Sequence, residues 1–219
     1  VLSMLLKRIS NEDVMEQISE DKVLDKKSKN ETIIVTSLFA ILVGFWCIGW
    51  RGFEELAPLV SNKVGYLNAV YTLLETVLLC IISGSILHKI HKKKKLLFTE
   101  TIISCIDVFC LFIAAITLSW QGLLIAYIIT AFTSTMGDLI WGSLMSAYST
   151  NDREKWVLVN RVYFVIRALF TIIAWLVCRE CVIRGIETFR YLAIGLIGLI
   201  IITYLVASRV NKKVFGSSI

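Results

Sequence analysis

The chain has 219 residues, of which 57% are hydrophobic and only 18% charged, with a mean hydropathy of +0.75. So few charges cannot cover that much apolar surface in water, which excludes a soluble globular class and leaves an all-α, polytopic membrane bundle of one domain. The net charge is +6, and the placement of the charges matters more than their total.

Residues 1–32 read as a cytoplasmic tail of mixed charge. They hold no apolar core ahead of a small-residue cleavage site, so insertion is expected to rely on the first span. The opening Val1 fits a fragment or a GUG start codon equally. Leu2, Leu5, Leu6 and Ile9 recur at helical spacing, which suits a helix on the membrane surface, and a second short helix is predicted over 14–18.

The first predicted span runs from Ile33 to Trp50, with Trp46 and Trp50 at the far interface. A loop from Arg51 to Gly65 follows and holds the only proline, Pro58. Further spans are predicted from Tyr66 to Leu87, Leu96 to Leu118, Leu123 to Ala147, Trp156 to Val177 and Tyr191 to Ala207. The spanning domain covers 33–210, and 211–219 form a basic cytoplasmic tail. Ser119 to Gly122 read as a tight turn, residues 151–155 as a polar break, and Cys178 to Arg190 as a short loop. The small residues Gly137, Gly142, Ser143 and Ser146 give the fourth span a face for close helix contact or a bendable cavity wall.

Lys and Arg fix the orientation. One side collects the basic residues of the first tail, Lys89 and Lys92 to Lys95, Arg153, Lys155, Arg161, Arg209, Lys212 and Lys213. The other side has Arg51, Lys63, Arg179, Arg184 and Arg190. This excess predicts a cell-membrane protein with both termini in the cytoplasm, consistent with six crossings. The lysine run suits anionic headgroups rather than nucleic acid, because it abuts a membrane and does not cover a folded face.

The turn Gly84-Ser85-Ile86-Leu87-His88-Lys89-Ile90-His91-Lys92-Lys93 resembles the loop between the second and third helices of major facilitator superfamily transporters. That family carries Gly-x-Leu-Ala-Asp-Arg-x-Gly followed by two basic residues. Gly84 matches the first glycine, Lys89 the first basic residue, and Lys92 and Lys93 the basic pair. His88 stands in place of the acid and His91 in place of the second glycine; in the family that acid helps hold a gate against the other half. Leu144 to Val177, with Asn151, Asp152, Arg153, Glu154, Asn160, Arg161 and Arg167, is similar to the fourth-to-fifth helix region of efflux-type members. The likeness covers about residues 33 to 210, half of a twelve-helix transporter. It implies two inverted three-helix repeats, with the first and fourth helices lining a cavity. It also implies a second six-helix half from a partner chain, a second copy or a further frame.

The chemistry lies in ionisable residues inside the spans, where charge costs about 3 kcal/mol and marks pairs or pathways. Glu75, Asp107 and Arg167 fall about halfway along the second, third and fifth spans and so share a depth. Asp138 and Arg161 fall toward the cytoplasmic side. Structural ion pairs are expected, Arg167 with Glu75 or Asp107 and Asp138 with Arg161. One midplane acid is then left over, a candidate substrate or proton-coupling site, and Glu75 and Arg167 are expected to face the cavity.

No cofactor or metal is expected. Cys47, Cys80, Cys105 and Cys110 lie in apolar runs, and Cys178 and Cys181 form a lone close pair without a histidine nearby. His88 and His91 sit among lysines that oppose a metal. Zinc-protease, phosphate-loop and nucleophile-elbow signatures are missing, so an enzyme is not expected. The leading expectation is a half-size solute transporter or exporter, with proton coupling as one option and its small-molecule substrate unidentified. The alternative is a non-transporting multi-pass protein: a binding partner, an immunity-type factor or a sensor's membrane module.

Overall fold

The computed structural model describes residues 30, 33–86, 93–149 and 153–214. The surface helix expected in the first tail, and His88, Lys89 and Lys92 of the loop motif, lie outside the described residues. Gly84 sits in the last turn before that loop, and Lys93 opens the helix after it.

Among the described residues the fold is wholly helical, with α1 Ile33–Val60, α2 Val64–Ile86, α3 Lys93–Thr117, α4 Trp120–Ser149, α5 Arg153–Arg184 and α6 Glu187–Val214. All six are long and apolar enough to cross a membrane. A helix satisfies its own backbone donors and acceptors, which is what a solvent without hydrogen bonds demands.

The helices are unequally covered. Half or more of the spanning stretches of α1, α3 and α4 is buried, against 6% in α2. α1 is the centre. Val35, Phe39, Leu42, Trp46, Gly49, Phe53 and Leu56 recur at alternating steps of four and three, so one stripe of α1 faces inward along its whole length. That stripe meets Trp141 of α4 and Tyr163 of α5 through Phe39, and Tyr127 of α4 through Phe53, with Trp50 beside the stripe also against Tyr127. α3 packs on both α4 and α6, and α2 packs on α4. Leu73, Val77 and Ile81 of α2 and Val165, Leu169, Ile172 and Leu176 of α5 point outward, the faces expected against lipid.

Outside the α3–α4 turn, the tightest glycine contacts between spans are made by α1, while Gly137 of α4 lines a cavity wall. A Cβ at Gly44 would lie 2.3 Å from the Phe170 ring of α5, and one at Gly49 would lie 2.9 Å from Val108 of α3. Gly142 has open space beside it, and Gly137 faces only a carboxylate oxygen of Glu100.

Two loops predicted from charge are helical. α1 passes Arg51 because the guanidinium bonds Glu54 at 2.9 Å and Glu55 at 2.5 Å, one turn ahead. Pro58 sits in the last turn, where its missing donor frees a single carbonyl. The helix stops where Ser61 N–H reaches Ala57 O at 2.9 Å. Trp50 therefore stacks on Phe53 and packs at a tilt against Tyr71 inside the bundle instead of marking its edge. α5 runs on past Val177 in the same way, with Arg184 bonded to Glu180 at 2.7 Å, until Gly185 takes a φ of 106° that side chains disfavour. Between α3 and α4 the turn is Leu118 and Ser119 alone. The Ser119 hydroxyl accepts the Gly122 N–H at 3.1 Å and starts α4 at Trp120.

Candidate functional site

α3 carries an acidic stripe. Glu100, Ser104 and Asp107 are separated by four and three residues, so they share one face over about 10 Å. That face is turned inward: Glu100 is 3% exposed and Asp107 5%. Opposite it, α4 presents Thr130, Thr133, Ser134, Gly137, Asp138 and Trp141 at the same helical intervals. Polar groups on both faces would be costly against hydrocarbon, so each helix solvates the other.

Between these faces lies a cavity of ≈ 180 Å³. α1 contributes Val43 and Trp46, α2 Tyr71 and Glu75, α3 Glu100 and Ile103. α4 adds Thr133, Ser134, Gly137, Asp138 and Trp141, and α5 adds Tyr163 and Arg167. The volume corresponds to about six waters at ~30 Å³ each.

The carboxylates are served mainly by hydroxyls. Glu75 Oε1 accepts from Tyr71 Oη at 3.0 Å and from Ser134 Oγ at 2.9 Å, so it ties α2 to α4. Thr133 Oγ1 donates to Asp107 Oδ1 from across the interface, while Asp107 Oδ2 is buried without a hydrogen-bond partner. Ser104 Oγ donates to Glu100 Oε1 at 3.4 Å, and Glu100 Oε2 is likewise buried and unbonded. The cation of the site, Arg167, donates to Tyr163 Oη at 3.5 Å and lies over the same ring at 5.9 Å.

Glu75, Asp138 and Arg167 are thus brought to one cavity, and Asp107 lies behind its wall against Thr133. The expected ion pairs do not form among the described residues. Hydroxyls from neighbouring helices bond Glu75 and Asp107, and Asp138 shares the cavity lining with Arg167, not with Arg161. Arg161 is exposed and about 9 Å nearer the start of α5 than Arg167. Glu100, Tyr71, Ser134, Trp141 and Tyr163 are additional members of the site. The signal for Glu100 was its step of seven to Asp107; its nearness to the lysine run instead suggests an interfacial acid. The Tyr71–Glu75 and Tyr163–Arg167 steps of four are the same kind of sign.

Among the described residues, no three His, Cys, Asp or Glu side chains converge as a metal site would need. The six cysteines are free, and Cys178 Sγ donates to Ile48 O at 3.6 Å across the α5–α1 contact. The fold and the cavity together define a multi-pass membrane protein with a polar, ionisable interior. No family model, no curated protein and no solved structure matches this chain.

Proposed function

We propose that the chain is a half-size solute carrier of the cell membrane, of the major facilitator kind, with both termini in the cytoplasm and proton coupling through Glu75. The observation that carries this reading is the cavity. Three carboxylates and one guanidinium surround open volume inside a bundle where each charge is costly. Ion pairs built for stability would close on one another; these groups surround a space instead.

The contact pattern supports two repeats. Exchanging α1–α3 for α4–α6 maps the α2–α4 contact onto α5–α1, where Phe170 packs on Gly44 and Cys178 reaches Ile48. It maps α3–α4 onto α6–α1, where Leu192 approaches Gly52, and α3–α6 onto itself. A three-helix unit is odd, so its repeat must enter from the opposite face. Asp138 and Arg167 line the cavity yet remain exposed, so the wall is open beside them. A second copy of the chain would remove both from lipid and complete the wall.

The test is reconstitution in vesicles loaded with a pH-sensitive dye, with solute gradients imposed across the bilayer. Wild-type protein is expected to move protons with solute. Glu75→Gln is expected to insert normally and lose coupling. Unchanged pH dependence in that variant defeats the proton role, and a stable bundle that moves no solute leaves the non-transporting reading.

A further inference from the structure

We infer that the cavity binds a small organic ammonium ion, with Glu100 as its counter-ion. This rests on the carrier reading of the same cavity and names the class of molecule carried.

The charge balance comes first. With every group ionised, Glu75, Glu100 and Asp138 face only Arg167 across the lining. Two positive charges are missing, so the interior field draws in cations. Next comes the division of donors. Glu75 holds two hydroxyls, and Arg167 is engaged with Tyr163. Of the residues that line the cavity, Glu100 is the one with a buried side-chain oxygen, Oε2, that has no donor. Gly137 lines the cavity beside it: a Cβ there would stand 3.8 Å from that oxygen and take up part of the space. A buried acceptor left open is costly unless a ligand supplies the missing partner.

The wall decides which cation. A bare metal ion wants several oxygens at about 2.0–2.6 Å, and no such convergence of acids exists among the described residues. Val43, Trp46, Ile103 and Trp141 supply apolar and aromatic surface beside the carboxylate. A cation with methyl or methylene groups satisfies both halves of that surface. At ≈ 180 Å³ the space holds about six water-sized groups, taking ~30 Å³ for each, which suits a small alkylammonium.

Purified protein in lipid nanodiscs is titrated with choline and tetramethylammonium, read by the fluorescence of Trp46 and Trp141. Saturable quenching is expected, with no response to sodium at equal ionic strength or to 3,3-dimethylbutan-1-ol, the uncharged isostere of choline. Glu100→Gln is expected to raise Kd at least tenfold. Gly137→Ala, whose Cβ makes only an ordinary contact, is expected to raise it several-fold and decides the matter should Glu100→Gln not remain monodisperse. No saturable signal, equal binding of the neutral isostere or of sodium, or wild-type affinity in the deciding variant overturns the inference. Binding without flux overturns the carrier reading alone, and flux of other solutes without ammonium binding overturns this inference alone.

Discussion

The two oxygens of Asp107 have different surroundings. Oδ1 takes the Thr133 hydroxyl from α4, and Oδ2 is buried with no hydrogen bond. Removing the Thr133 hydroxyl takes away the closest donor to a buried carboxylate. Thr133→Val is therefore expected to destabilise the protein by about 1–3 kcal/mol, read as a lower Tm in detergent. With Asp107→Asn already in place, the same change should cost less than in wild type, and strict additivity of the two would show that the residues are not coupled. Glu75, Asp107 and Asp138 were legible from the sequence, because a lone carboxylate in an apolar run has few innocent explanations; Glu100, close to the lysine run, was not. Their partners were not. Ser134 is 59 residues from Glu75 and Thr133 26 from Asp107. A hydroxyl in a membrane helix also bonds its own backbone freely, as Thr135 does to Ala131, so it announces nothing.

At the scale of helices, the sequence reading was sound on number and order and short on length. Arg51 and Arg184 look like ends when each is read alone; read with Glu54 and Glu55, or with Glu180, they are neutralised within one turn and the helix continues. The packing partners of α1 depend on which side faces a neighbour, which composition does not reveal. The Gly44–Phe170 contact makes that packing testable. Gly44→Ala is expected to cost about 1–3 kcal/mol by overpacking, seen in thermal unfolding. Adding Phe170→Ala should remove most of that penalty, because the clash is with this ring. At the head of α4, Ser119→Ala should cost about 1 kcal/mol by freeing the Gly122 N–H.

For the whole molecule, six crossings require both ends on one side. Reporters fused after residue 219 and inserted at 62, between α1 and α2, are expected to report opposite faces, with the lysine-rich side cytoplasmic. The same face for both would break the six-helix arrangement. Assembly is the other global property. If a second copy closes the wall beside Asp138 and Arg167, light scattering on the protein in nanodiscs should give twice the 24.8 kDa chain mass. A monomer mass removes the second copy while leaving the cavity in place.

The Ser134–Glu75 bond makes one oxygen a hinge pin between α2, the least covered helix, and α4. Whatever lays claim to that oxygen must loosen the pin to do so. A proton or cation bound at that single atom would therefore weaken the tie between the two rods.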